Sequence, residues 1–208
     1  MMISKYLKII KGREIKDKEL MKGIEIDKIV YPDEYQGTFE VCKAWQDKNL
    51  EIYIFLKDIR IDEVIGCINL MPLSDEFYNL FISGKYMDLE IPVSEIKTYS
   101  KPGLYKMCLI SITLLKEYRD SEAIKILYNA ILYKLIELSK QGIYCHELLA
   151  DVISADGEKF CKSFGMKKVV ESSHKSTLYK VDFFPFNFKI RDEIGENLKV
   201  IYKNYTNV

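Results

Sequence analysis

Ser111 to Ile143 reads SITLLKEYRDSEAIKILYNAILYKLIELSKQGI, and the reading of the fold turns on this stretch. The β-branched and apolar run from Tyr105 to Leu115 (YKMCLISITLL) predicts a strand. A polar turn follows it. Ala123, Leu127, Ile131, Leu135 and Leu138 then share one helical face, and Gly142 stops the pattern just past Gln141, so a helix is expected over 121–140. A strand feeding a tight turn into a helix N-terminus aims unpaired backbone N–H groups and the positive end of a macrodipole at one spot. That arrangement suits an anion such as a pyrophosphate, although many such turns bind nothing.

Working outward, Lys11 to Lys22 is dense in both charges and is expected to be a solvated helix face. Gly23 to Tyr31 (GIEIDKIVY) reads as a first strand from Ile24, Ile26 and Ile29. Pro32 and Asp33 predict a helix start, with Tyr35, Phe39, Cys42 and Trp45 as an aromatic stripe assigned to the core. Leu50 to Leu56 and Val64 to Leu70 are short β-type runs that predict an antiparallel hairpin. Ser74 suits the N-cap of a short helix, Asp75 to Ile82, that Gly84 would end. The irregular segment from Tyr86 to Gly103 is placed to contribute to an acceptor site. Beyond the long helix, a strand (Ile143 to Val152), a short helix (Asp156 to Phe164, closed by Gly165), a hairpin (Lys167 to Phe183) and a helical stretch (Arg191 to Tyr205) are expected. This order of elements is α/β with crossovers, followed by antiparallel pairs.

The chain of 208 residues is expected to form a single domain over 1–208, with its core at about 23–183, an extension at 1–22 and a helical tail at 184–208. Apolar residues make up 48% and charged residues 30%, which suits a folded globular protein. Lys plus Arg equals Asp plus Glu at 31 each, so no global field attracts nucleic acid or anionic lipid. The start MMISKYLKIIKG lacks a signal-peptide pattern and no run approaches the about 18 apolar residues of a spanning helix, so a cytoplasmic protein is expected. Five cysteines without a C-x-x-C pair read as free thiols. The two histidines, His146 and His174, lack metal-ligand spacing, and no metal is expected. No G-x-S-x-G elbow points to a hydrolase. A homodimer stays open.

The stretch from Ser111 to Ile143 resembles motif A of the GNAT acetyltransferase superfamily, with Leu114, Glu117, Arg119 and the pair Leu127-Tyr128 in register. Ala155 to Met166 (ADGEKFCKSFGM) is similar to the family's motif B, with Phe160, Gly165 and Met166 at its aromatic, glycine and apolar positions. The resemblance covers about residues 23 to 183 and implies a mixed α/β (α+β), mostly antiparallel central sheet flanked by helices. It further implies acetyl-CoA as cosubstrate, held by Ile112, Leu114, Leu115, Arg119, Asp120, Ser121, Glu122, Ala123 and Ile124. The pantetheine arm would lie between splayed strands around Leu114 and Tyr144. An unidentified primary amine would attack the thioester directly, in a ternary complex. Glu122 and Ile124 stand where the family's motif A has glycines, and Cys161 stands where many members have a tyrosine that protonates the leaving thiolate. Those departures motivate the alternative of a catalytically silent GNAT-like domain that binds acyl-CoA or a partner. Glu90, Glu95, His146 and Glu147 are candidate bases, none of them assigned, and Cys161 is read as a packing residue.

Overall fold

The structure, a computed structural model, describes residues 4–119, 122–184, 186–189 and 192–206. Its strands are β1 (Leu7–Lys11), β2 (Tyr53–Asp58), β3 (Glu63–Leu73), β4 (Gly103–Leu114), β5 (Ile143–Val152), β6 (Lys167–Glu171) and β7 (Thr177–Asp182). They make one sheet in the order β1-β2-β3-β4-β5-β7-β6. Every neighbouring pair is antiparallel except β4 and β5, which the long helix connects as a parallel crossover. The expected mixed, mostly antiparallel sheet is therefore present.

Helices cover both faces. The helices α1 (Asp17–Val30), α2 (Phe39–Lys48) and α3 (Asp75–Phe81) pack on one side, where Leu20, Ile24, Trp45, Phe77 and Phe81 meet Phe55, Cys67 and Met71. On the other side lie α4 (Ala123–Ser139), α5 (Ala155–Phe164) and α6 (Glu193–Thr206). Local chemistry accounts for several boundaries. Ser74 Oγ accepts from the Phe77 amide at 3.1 Å, and Ser154 Oγ accepts from the Gly157 amide at 3.1 Å. Gly165 takes a left-handed φ of 91° to end α5.

Three expectations are corrected. Gly23 to Tyr31 is not a strand but the second half of α1. Leu20, Gly23, Ile24 and Asp27 recur at helical spacing, and packing of that face on the sheet overrides the local alternation of isoleucines. The close approach needs Gly23, because a Cβ there would sit 2.9 Å from Phe55 Cζ. The first strand lies instead at Leu7–Lys11, within the stretch read as an extension, and pairs with β2 as an edge of the sheet. The helix expected from Asp33 begins at Phe39, capped by Thr38, after a separate 3-10 turn at Asp33–Tyr35. The C-terminal helix packs on α4, and the Tyr202 hydroxyl accepts from the Cys145 amide at 2.9 Å, at the start of β5.

Candidate active site

β4 and β5 pair from Gly103↔Ile143 to Leu109↔Ala150, with a register shift between Tyr105 and Lys106, and no further. Beyond that point β4 stays with β3 as far as Gly66↔Leu114, while β5 stays with β7 as far as Val152↔Thr177. The register between β3 and β4 jumps from Asn69↔Ser111 to Leu70↔Leu109, so Ile110 is an extra residue in β4. A bulge bends and twists its strand and leaves one residue outside the ladder. Here it lies where β4 leaves β5, and the sheet opens into a wedge. The wedge corrects the expectation for Tyr144, which pairs with Leu104 at the closed end of the two strands.

Among the described residues expected to hold acetyl-CoA, Ile112, Leu114 and Leu115 lie on the β4 side of the wedge, and Glu122, Ala123 and Ile124 lie at the start of α4. Leu114 is buried against α4, with Ile112 and Leu115 partly buried at the same layer. Ala123 is fully buried at the start of α4, whereas Glu122 and Ile124 project into solvent. Glu122 has ordinary right-handed backbone angles, φ −60° and ψ −13°, so this turn does not require a glycine for its conformation. Arg119 turns back, donating to the Leu114 carbonyl at 3.1 Å and standing 3.7 Å from Asp156 on α5. Asp120 and Ser121 lie outside the described residues.

A cavity of about 40 Å³ opens on the α1 side of the sheet at the point of the bulge. Ile110 and Ser111 form its edge on β4, and Leu20, Trp45, Tyr53 and Phe55 give it apolar walls. Its polar residues include Asp27 on α1, Asp88 in the segment before β4, and Asn69 on β3. Cys42 and Trp45 of the core stripe are buried in the core on the α1 side and line the cavity as well, where Tyr35 joins them. The irregular segment after α3 contributes Asp88 and Leu89 to the lining.

Asp27 Oδ1 accepts from Thr113 Oγ1 at 2.9 Å and lies 3.6 Å from Cys67 Sγ. Burial still pushes its carboxyl up to about 6, against the lowering effect of those hydrogen bonds. Burial, with the charge of Asp151 next, pushes Asp88 up to about 7. Burial also raises Asp151, whose Oδ1 has no hydrogen-bond partner. Tyr31 lies over the wedge, with the Ile112 backbone amide donating to its hydroxyl, and its pKa is raised by burial. The Tyr35 hydroxyl donates to the His174 carbonyl, which joins the α1–α2 segment to the β6–β7 turn.

The proposed bases are otherwise engaged. Glu90 accepts from the Met87 amide at 2.6 Å, and Glu95 accepts from the Ser74 hydroxyl. Glu147 pairs with Lys180 at 3.0 Å, with His146 beside it on β5. Cys161 is buried on α5, where burial pushes its thiol up to about 12.

No family model matches the sequence, and no curated protein matches it. Solved structures do. The loading GNATL domain of CurA from Lyngbya majuscula aligns with a TM-score of 0.63 at 12% identity, covering 87% of this chain and 100% of that domain. NAA60 of Arabidopsis thaliana in complex with acetyl-CoA aligns at 0.56 and 14%, covering 85% and 99%. Naa50 of Arabidopsis thaliana, in complex with a bisubstrate analogue CoA-Ac-MVNAL, aligns at 0.55 and 14%, covering 86% and 99%. The chain has the GNAT fold. At such identities the likeness fixes the path of the backbone and leaves chemistry to this chain's own side chains. Within the GNAT fold, the acidic residues Asp27, Asp88 and Asp151 escaped the sequence reading. The one signal for Asp27 was a carboxylate inside the apolar stripe of a helix, and a strand assignment there hides it.

Proposed function

We propose that this protein is an N-acetyltransferase that moves an acetyl group from acetyl-CoA to a primary amine. The observation that supports it best is the wedge between β4 and β5, which meets the acid-lined cavity at Ile110 and Ser111. The backbone at Ile112, Leu114 and Leu115 would hold the pantetheine arm. The first turn of α4, from Glu122 to Ile124 with Asp120, Ser121 and Arg119 before it, would hold the pyrophosphate.

The amine would enter from the cavity. Its ammonium form gives a proton to Asp27, whose raised pKa suits that transfer near neutral pH. The nitrogen then bonds to the acetyl carbon, the carbon–sulfur bond breaks, and the nitrogen's second proton passes through water to the CoA thiolate, leaving the amide and free CoA. Positioning within one ternary complex accounts for the step, with no covalent enzyme intermediate. A cytoplasmic location is part of this reading.

A second reading, a silent acyl-CoA-binding domain, is favoured by Glu122 and Ile124 in place of small residues. Calorimetric titration with acetyl-CoA, followed by acetyl transfer to a panel of amines, separates the two. The transferase reading expects both binding and transfer. Binding without transfer to any amine favours the silent domain, and no heat at millimolar acetyl-CoA defeats both. Replacing Glu122 by Gly removes a like charge and a Cβ beside the phosphates, and is expected to tighten binding about fivefold. Unchanged affinity would place the phosphates elsewhere.

A further inference from the structure

The bulge in β4 does more than open the wedge. Before it, Cys108 and Ile110 face the core on the α1 side, and Met107 and Leu109 face the core on the α4 side. The extra residue reverses this alternation. Past it Ser111 reaches the cavity on the α1 side, Thr113 reaches Asp27, and Leu114 packs towards α4. Thr113 stands opposite Cys67 in the ladder with β3, and Cys67 Sγ lies 2.8 Å from Thr113 Oγ1. On the helix above, Leu20, Gly23, Ile24 and Asp27 share one face. The bare Gly23 lets that face settle on the sheet, where Cys67 Sγ lies 3.9 Å from the Gly23 carbonyl oxygen.

The direction of the hydrogen bonds follows from the donors present. An ionised carboxylate only accepts, so the single proton of the Thr113 hydroxyl goes to Asp27 Oδ1, at 2.9 Å. Thr113 Oγ1 must then accept from the Cys67 thiol, which burial keeps protonated. Cys67 Sγ also lies 3.6 Å from the same Oδ1, and no hydrogen bond from the described residues ends on Oδ2. One oxygen is tied to the sheet and the other is left for a proton. The remaining groups around the carboxyl are Tyr31 on α1, Cys42 on α2, Tyr53 on β2 and Asp88 in the 3-10 turn Asp88–Glu90. None of these is cationic. Burial resists ionisation of Asp27, and the hydrogen bonds from Thr113 and Cys67 favour it. We infer that Thr113 is a positioning residue for acetyl transfer: its hydroxyl, backed by the Cys67 thiol, fixes Asp27 through Oδ1 so that Oδ2 takes the proton of the acceptor ammonium. In that step the ammonium N–H bond breaks, an O–H bond forms at Oδ2, and the nitrogen keeps the electron pair with which it attacks. The inference rests on the reading of Asp27 as the base.

Thr113→Val removes the hydroxyl at nearly the same volume, and Thr113→Ser keeps it. Two measurements on the full chain test the inference: carbon-13 titration of the Asp27 carboxyl without substrate, and the pH profile of kcat/KM with the amine of the panel that wild type acetylates fastest. In Thr113→Val the titration midpoint and the acid limb are both expected to rise by about one pH unit, through loss of one hydrogen bond to a charged group. Thr113→Ser should return both to within about 0.3 pH of wild type, and Cys67→Ala should move both upward by less than Thr113→Val does. KM for acetyl-CoA should change less than about twofold in all three. Thermal melts establish that each variant folds, and Thr113→Ala replaces Thr113→Val if the latter unfolds. A purely structural role would lower stability and rate at every pH and leave the limb in place. A midpoint and a limb at wild-type values in folded Thr113→Val overturn this inference alone. A midpoint that moves while the limb stays, or full transfer by Asp27→Asn, removes Asp27 as the base and the inference with it. Wild-type transfer to no amine defeats the transferase reading and this role together.

Discussion

At Cys161, burial supports the expectation of a packing residue. The side chain is 2% exposed on α5 beside Phe164, and a thiol held at about 12 is neutral at physiological pH. Cys161→Ala removes one buried sulfur and leaves a small cavity, so it should cost about 1 kcal/mol of stability in urea unfolding and keep most of the acetyl transfer. A folded but inactive Ala variant carrying no acetyl transfer, with a stable acetyl-thioester on wild-type Cys161 in mass spectra, would make the residue a nucleophile. Cys161 was legible because the helix around it has a clean cap, Ser154, and a clean stop, Gly165. Asp27 was not. A carboxylate's role depends on what packs above it, and Thr113, its partner, is 86 positions away in the chain.

Among the elements, the hairpin of β2 and β3 and the turn before α4 are joined at one carboxylate. Asp58 is fully buried at the end of β2, where Arg60 Nε donates to its Oδ1 at 2.9 Å and the Tyr118 hydroxyl donates to Oδ2 at 3.0 Å. Tyr118 belongs to the 3-10 turn Lys116–Tyr118, so Asp58 steadies the turn that leads into the proposed pyrophosphate site. The Arg60 guanidinium beside it holds its carboxyl well below the usual carboxylate range. A depressed folded pKa means that the stabilisation is present above the unfolded value of about 4 and is lost as pH falls towards the folded value. Asp58→Asn should therefore melt several degrees lower than wild type at pH 7, and the gap should narrow below about pH 4. A gap that does not depend on pH would show that shape, not charge, holds the turn. The apolar runs of β2 to β5, buried under helices on both faces of the sheet, and the long apolar stripe of α4 made those elements readable. α1 was misread because three isoleucines in nine residues fit a strand locally, and only the sheet beneath chooses the helix.

Over the whole molecule, folding and binding make opposite demands on the same carboxylates. The sheet and its helices bury a continuous apolar core on both faces, and within one of them the chain buries Asp27 and Asp88, with the charges of Asp151 and Asp27 both acting on Asp88. Such an arrangement weakens the empty protein at neutral pH, a cost typical of sites built to bind a charge. The sign follows from Asp88, raised by burial from an ordinary 3.8 to about 7. A raised folded pKa favours the folded state below the unfolded value, and that advantage is lost as pH rises through about 7. Wild type should accordingly lose stability between about pH 4 and pH 7 in a way that Asp88→Asn, which cannot ionise, does not. The variant is expected to unfold at higher temperature than wild type at pH 8, by a few degrees or on the order of 1 kcal/mol, and at nearly the same temperature at pH 4. Melting curves of wild type and variant at pH 4, 6 and 8 read the difference. A variant less stable than wild type at pH 8 would mean that hydrogen bonds such as the one from the Leu89 amide to Asp88 Oδ1 already outweigh the cost of burying its charge.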